Sequence, residues 1–262
     1  MRFPALLIVV LLSYVPATAA RSTELPAEEV LRRAFAHRYE YDLTQDVTLI
    51  QRDRFGDERT IRLEIAQKTI QSRLHGLVRF TYPGSLRGTR VLSVEADGRS
   101  DDHFLFLKSQ QRVRRVRSTR RDSFMGTDFT MEDMEKREAG DYRVESLQRG
   151  HYAGEPVFLI TAEPTYESGY SHVDYVISSD DFFMLAARFY RSDPSGPFKE
   201  LVVPRATAQK FGDVLIGTHA YVRNVRLQTE THIYLTNIQV SPQLPDSIFT
   251  VKSLEVDRDL TH

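Results

Sequence analysis

The chain of 262 residues contains no cysteine. That excludes disulfides as staples and removes the usual ligand of a structural zinc site, so the domain must be held by its core. It also lacks an excess of charge of either sign. Lys and Arg number 35 against 36 Asp and Glu, and no global field points to nucleic acid as a partner. After the first fifteen residues, no apolar stretch is long enough to cross a bilayer. Catalytic signatures are missing as well: there is no Gly-x-Ser-x-Gly elbow, no phosphate-binding loop and no His-Glu-x-x-His. The eight histidines are scattered, and no two sit two, three or four residues apart. The acidic pairs Asp101-Asp102 and Asp180-Asp181 fall in predicted turns, where solvated caps account for them. A glycosidase could still assemble carboxylates from separate strands. The sequence therefore calls for no enzyme, no cofactor and no metal.

What is present begins with an export signal. Met1 and Arg2 precede an apolar run from Phe3 to Val15, which Pro16 breaks, and Ala17-Thr18-Ala19 supplies small residues for a signal peptidase. The run is short of the roughly 20 residues a spanning helix needs. The expectation is a cleaved signal peptide over residues 1–19 and one soluble exported domain over 20–262. Roughly 240 residues are enough to bury a sizeable core. Apolar residues make up 41% of the chain and aromatics 10%, as a packed globule requires.

One long helix is legible near the mature N-terminus. Pro26 opens it, Glu28 and Glu29 follow at the positive dipole end, and Val30, Leu31, Ala34 and Phe35 form one apolar face. It should stop between Tyr39 and Asp42. The period then changes from 3.6 to 2. Ile61, Leu63 and Ile65 alternate with polar neighbours, as do Val173, Tyr175 and Ile177; Leu185, Ala187 and Phe189; and Ile233 and Leu235. Turn clusters such as Phe55-Gly56-Asp57, Pro83-Gly84-Ser85 and Ser179-Asp180-Asp181 separate the runs. The pattern predicts a mainly β, α+β domain. About ten or eleven antiparallel strands between Thr44 and Val240 form a strongly curved sheet, an incomplete barrel around one or more helices.

Two runs, Phe104-Leu105-Phe106-Leu107 and Val157-Phe158-Leu159-Ile160, are apolar on both faces. They describe either central strands covered on both sides or a face that lines a ligand cavity. Candidate lipid-lining residues are Ile61, Leu63, Ile65, Val173, Tyr175 and Ile177, with Phe104 and Phe106 beside them; ordinary core is the competing role for each. The densest cationic cluster is Arg112, Arg114, Arg115 and Arg117, followed by Arg120 and Arg121. It is either a solvated strand edge that resists aggregation or a contact for anionic headgroups or a partner. Alternation puts Arg115 and Arg117 on one face, Arg112 and Arg114 on the other.

The most distinctive stretch follows: Arg114-Arg115-Val116-Arg117-Ser118, then Asp122-Ser123-Phe124-Met125-Gly126-Thr127-Asp128-Phe129-Thr130-Met131-Glu132-Asp133-Met134. It resembles the signature of the LolA-like "outer membrane lipoprotein-sorting protein" families of bacterial envelopes. Asn224, Thr231, Leu235, Leu244-Pro245-Asp246 and Phe249-Thr250 stand where such proteins carry a similar closing pattern. The resemblance implies a half-barrel plugged by helices, with an apolar cavity for acyl chains. It implies a periplasmic location, with lipid or lipoprotein acyl chains as cargo and an inner-membrane lipid transporter as a partner. Membrane contact would be transient, and no nucleic acid is involved. The local chemistry of Ser123, Phe124, Gly126, Asp128, Phe129 and Asp133 suits a structural loop and lid. Gly126 permits a tight turn, and Thr130 or Asp128 can cap a short helix over about Met131 to Arg137. Two roles follow: a carrier that shelters lipid chains, or a non-catalytic subunit of an envelope lipid-transporter complex.

Overall fold

A computed structural model describes residues 25–96, 100–116, 119–192 and 196–260. The expected signal peptide lies outside the described residues, as do Arg117 and Ser118. Helix α1 spans Ala27–Tyr39 with Pro26 as its N-cap. Glu29 holds it from within by ion pairs to Arg32 and Arg33 at 2.8 and 2.6 Å. Its expected apolar face is buried: Val30, Leu31, Ala34 and Phe35 all lie in one core cluster.

Among the described residues, fifteen strands follow. The first six are β1 Leu43–Arg52, β2 Glu58–Ile70, β3 Arg73–Tyr82, β4 Arg90–Val94, β5 Asp102–Leu107 and β6 Arg112–Val116. After a short helix α2, Met131–Met134, come β7 Tyr142–Tyr152, β8 Glu155–Pro164, β9 His172–Ser178, β10 Met184–Tyr190 and β11 Lys199–Val202. The last four are β12 Ala208–Phe211, β13 Val214–Gly217, β14 His219–Asn224 and β15 Thr229–Val240. Thirteen of them form one antiparallel sheet in the order β6-β5-β4-β3-β2-β1-β15-β14-β11-β10-β9-β8-β7, and β12 and β13 form a separate hairpin. The sheet is curved and does not close into a barrel. The strand number exceeds the ten or eleven expected because β4, β6, β11, β12 and β13 have only four or five residues each. Runs that short carry too few alternations to register as strands.

The strand order shows how the chain travels. It starts at the centre and meanders outward to the β6 edge. The connection of residues 117–141 then carries it to the opposite edge, β7, and it meanders back until β15 pairs with β1. One face of the sheet must therefore be crossed by that connection.

Cross-strand register defines the two faces. Val47, Leu49, Leu63, Ile61, Ile233 and Leu235 are mutual neighbours on one side, and the row continues through Val222 and Leu201 to Ala187, Tyr175 and Ile160. Helix α1 packs on this side, and its cluster includes both Leu74 of β3 and Tyr142 of β7. Those strands lie far apart in the sheet, so this face is concave and wraps the helix. The convex face is covered in two places. Ile248, Phe249, Leu254 and Leu260 of the C-terminal segment cover Ala66, Leu77, Leu92 and Phe106. The β12–β13 hairpin packs through Ala208 and Leu215 onto Val157, Val176, Leu185 and Ala186. Leu185 departs from the expected alternation: a bulge between Met184 and Ala186 turns it to the convex side, while Ala187 stays under α1.

Candidate functional site

The eight residues expected to line a cavity are not brought together. Ile61 and Leu63, only 1% and 3% exposed, are packed in a layer with Val47, Leu49, Phe80 and Phe129. Val173, Tyr175 and Ile177 are buried under α1, where Phe35 meets the Tyr175 ring edge-on at 5.7 Å. Phe104 and Phe106 lie on the opposite, convex face. Phe104 pairs with Leu92, which pairs with Leu77, and all of them sit in the cluster covered by the C-terminal segment. A strand apolar on both faces does not disclose its parity; only the pairing does.

Parity puts Leu105 on the concave side instead. The register Ile65–Val78–Val91–Leu105 runs across β2, β3, β4 and β5, and each of these four side chains is only partly buried. The row continues to Arg114 on β6, and Leu107 is paired with Arg112. From Ile65 to Arg114 is four interstrand spacings, about 19 Å at ~4.8 Å each. The concave face thus has a filled part, beneath α1 and Phe129, and a partly buried apolar strip beside it; Ile65, Val78 and Val91 pack against the Phe129 layer, and the strip runs on through Leu105 to two exposed arginines on the sheet edge. Val78 and Val91 read as ordinary strand residues in the sequence, and Leu105 lies in a run apolar on both faces whose inward side the sequence does not disclose. Beside the strip lies a polar row, Gly76, Ser93 and His103, with Ser93 Oγ 2.9 Å from His103 Nδ1. Burial lowers the His103 pKa, against the nearby carboxylates of Glu135 and Asp102.

The edge-to-edge connection carries the distinctive sequence motif, and its side chains fasten it to the concave face. Ser123 donates to the Thr127 carbonyl at 2.7 Å, and Gly126 takes φ +75°, where an added Cβ would meet Arg59 at 3.1 Å. Phe124 and Phe129 pack into the Ile61 and Leu63 layer. Asp128 accepts from the hydroxyls of Thr229 and Thr231 on β15, the latter at 2.7 Å. Glu132 accepts from Tyr166 at 2.9 Å and from the Gly169 amide at 2.8 Å, in the β8–β9 loop. Asp133 meets Lys199 Nζ of β11 and the Tyr170 hydroxyl, each at 2.6 Å, and caps the Thr130 amide at 2.7 Å. Helix α2 is one turn long, shorter than the expected Met131–Arg137, because Glu135 turns away to pair with Arg120 and Arg137 at 2.8 Å each. Burial opposes ionisation of Asp133, yet Lys199 and these donors hold its carboxyl below the usual range. The motif is a strap that crosses the half-barrel, with Asp128 anchored to β15, Glu132 to the β8–β9 loop and Asp133 to both that loop and β11.

Solved structures share this architecture. A DUF1329 family protein from Desulfovibrio piger superposes with a TM-score of 0.79 at 21% identity, over 87% of this chain and 97% of that one. A putative outer membrane lipoprotein-sorting protein domain from Vibrio parahaemolyticus gives 0.78 at 21% identity over the same shares. A LolA superfamily protein from Nitrosomonas europaea gives 0.69 at 18% identity, over 87% of this chain and 98% of that one. A family model described as "-like: Uncharacterized protein" matches residues 73–256. The chain belongs to that family, and its fold is LolA-like. The comparison with curated proteins finds no match.

In this LolA-like sheet, β6 is an edge strand, which explains why its arginines are exposed. Arg112 and Arg114 share the concave side with Leu107 and Leu105. Arg115 shares the convex side with Phe104 and is ion-paired to Asp102. Among the described residues the scattered histidines meet once: His219 Nε2 and His232 Nδ1 lie 2.9 Å apart across β14 and β15, with Glu230 2.7 Å from His232 Nε2. Strand register, not sequence spacing, makes that pair. Among the described residues, no group of three or more His, Asp or Glu side chains could hold a metal ion.

Proposed function

We propose that the protein is a carrier of acyl or other lipid chains in the bacterial periplasm, reached through its cleavable signal peptide, and that it works by burial without covalent chemistry. The observation that carries this reading is the strip Ile65, Val78, Val91 and Leu105, apolar and only partly buried on the concave face beside the packed layer. Its end at Arg114 and Arg112 suits a chain with an anionic head. Burying methylenes at about 0.8 kcal/mol each makes a long chain worth on the order of 10 kcal/mol when fully covered. A partly open strip supplies a fraction of that, as a shuttle that must release its cargo requires. The names of the structural neighbours, a lipoprotein-sorting domain among them, support the same cargo class. Ile61, Leu63, Val173, Tyr175 and Ile177 serve in this reading as the packed floor beside the strip, and Phe104 and Phe106 as convex core. Mass spectrometry of organic extracts from natively purified protein tests the proposal. Lipid near one equivalent per chain is expected, and its absence from extracts prepared without detergent argues for the other reading. That reading, a docking subunit of a lipid-transporter complex that holds no lipid, is favoured by the packed core under α1.

A further inference from the structure

Three large apolar side chains project from one end of the sheet. Phe55 is 76% exposed, Leu227 62% and Val225 45%. They belong to two turns that emerge side by side, because Arg52 of β1 is paired with both Glu58 of β2 and Glu230 of β15. Both turns are built to hold their tips outward. Asp53 accepts from the amides of Phe55 and Asp57 at 2.8 and 3.0 Å, and Gly56 takes φ +90°. Across from it, Asn224 accepts from the Leu227 amide at 3.1 Å, and Gln228 takes φ +56°. The Arg54 guanidinium sits 4.7 Å from the Phe55 ring centroid. A hollow of about 340 Å³ lies between the tips, lined among others by Arg52, Asp53, Arg223 and Val225.

We propose that this end of the sheet docks on a lipid bilayer, with Phe55, Val225 and Leu227 entering the interfacial layer and the flanking arginines remaining at headgroup level. The exposed apolar area is on the order of 300 Å². That falls well short of the ~800 Å² per partner of a stable protein interface, whereas a few apolar groups suffice to seat a protein reversibly at a membrane surface. The shape fits too: separate knobs flanked by arginine stems suit a soft surface into which they sink while their charges snorkel. Charge sets the character of the contact. The two tips carry Arg52, Arg54, Arg223 and Arg226 against Asp53, Asp57, Glu58 and Glu230, four against four. Docking here is therefore driven by apolar burial and depends little on salt, unlike any contact made by the arginines of β6.

The chain has no tryptophan, so Phe55→Trp gives a single reporter at an exposed position where it costs no packing. Phosphatidylethanolamine–phosphatidylglycerol vesicles should shift its emission to the blue, at low and high salt alike, and brominated lipid should quench it. In the native background, Phe55→Ser with Leu227→Ser should weaken vesicle co-sedimentation by about tenfold or more. Circular dichroism and uptake of a soluble fluorescent fatty acid without vesicles should not change, which separates this proposal from the carrier reading. An unmoved tryptophan spectrum, vesicle binding unaffected by the double substitution, or a change of oligomeric state in its place would each overturn it.

Discussion

Replacing Lys199 with methionine probes the strap at its most buried anchor. Lys199 is 1% exposed, and its ammonium meets Asp133 at 2.6 Å, beside the Tyr170 hydroxyl and the Thr130 amide. Lys199→Met keeps most of the side-chain volume and removes the ammonium from beside a buried carboxylate. Breaking a buried pair from one side costs about 3–5 kcal/mol. For a domain of this size that is a fall of roughly 10 °C in melting temperature. The pH dependence has a definite sign. In the native protein the Asp133 carboxyl sits below its ordinary value, so its contribution is present above the unfolded pKa and lost as pH falls through the folded one. In Lys199→Met the same carboxyl is raised, so the deficit should be largest at pH 8 and shrink towards pH 5. Adding Asp133→Asn should recover much of it, since the buried charge is then gone. Urea denaturation of the three variants at both pH values checks this. A loss below about 1 kcal/mol, or no recovery in the double variant, would refute the view that the strap is held by this ion pair.

Other substitutions separate the filled and open parts of the concave face. Leu63→Ala should cost about 2–5 kcal/mol, whereas Val91→Ala or Leu105→Ala should cost distinctly less, as chemical denaturation will show. For the same reason Leu63→Glu, which the sequence alone would place in a tolerant lining, should unfold the domain. Asp101 is raised to about 7, chiefly by burial and then by Glu135 and Glu95. Its stabilising contribution is therefore present in acid and lost as pH rises towards 7, and Asp101→Asn should flatten the stability profile between pH 4 and 8 and raise it at the upper end. Replacing Arg112 and Arg114 by Gln should weaken binding to anionic vesicles and reduce its salt dependence, while Arg115→Gln, already paired to Asp102, should do less; co-sedimentation across a salt series decides.

Much of the fold could be read from the residues. Pro26, Glu28, Glu29 and the spacing of Val30, Leu31, Ala34 and Phe35 define α1 to within a residue or two, because capping and a 3.6 period are local signals. The change to period 2 announced a large antiparallel sheet, and the need for one helix and that sheet to bury each other announced its curvature. The concave strip was not legible. Phe104 and Leu105 are equally apolar, and which of them faces inward depends on the partner Val91, a choice made by register across strands. The bulge at Leu185 is hidden in the same way. The motif was visible as a motif, but its task as an edge-to-edge strap needed the strand order. Nothing near Asp133 in sequence points to Lys199, 66 residues away.

The carrier account rests on the strip, and a binding titration tests it most directly. A fluorescent fatty acid should bind the delipidated native protein saturably, at one equivalent per chain. Leu105→Glu places a carboxylate at the arginine end of the strip, at a partly exposed position, so it should keep the native melting curve and bind at least about tenfold more weakly. Failure of the native protein to bind, or undiminished binding by a folded Leu105→Glu variant, would contradict the assignment of this face to lipid.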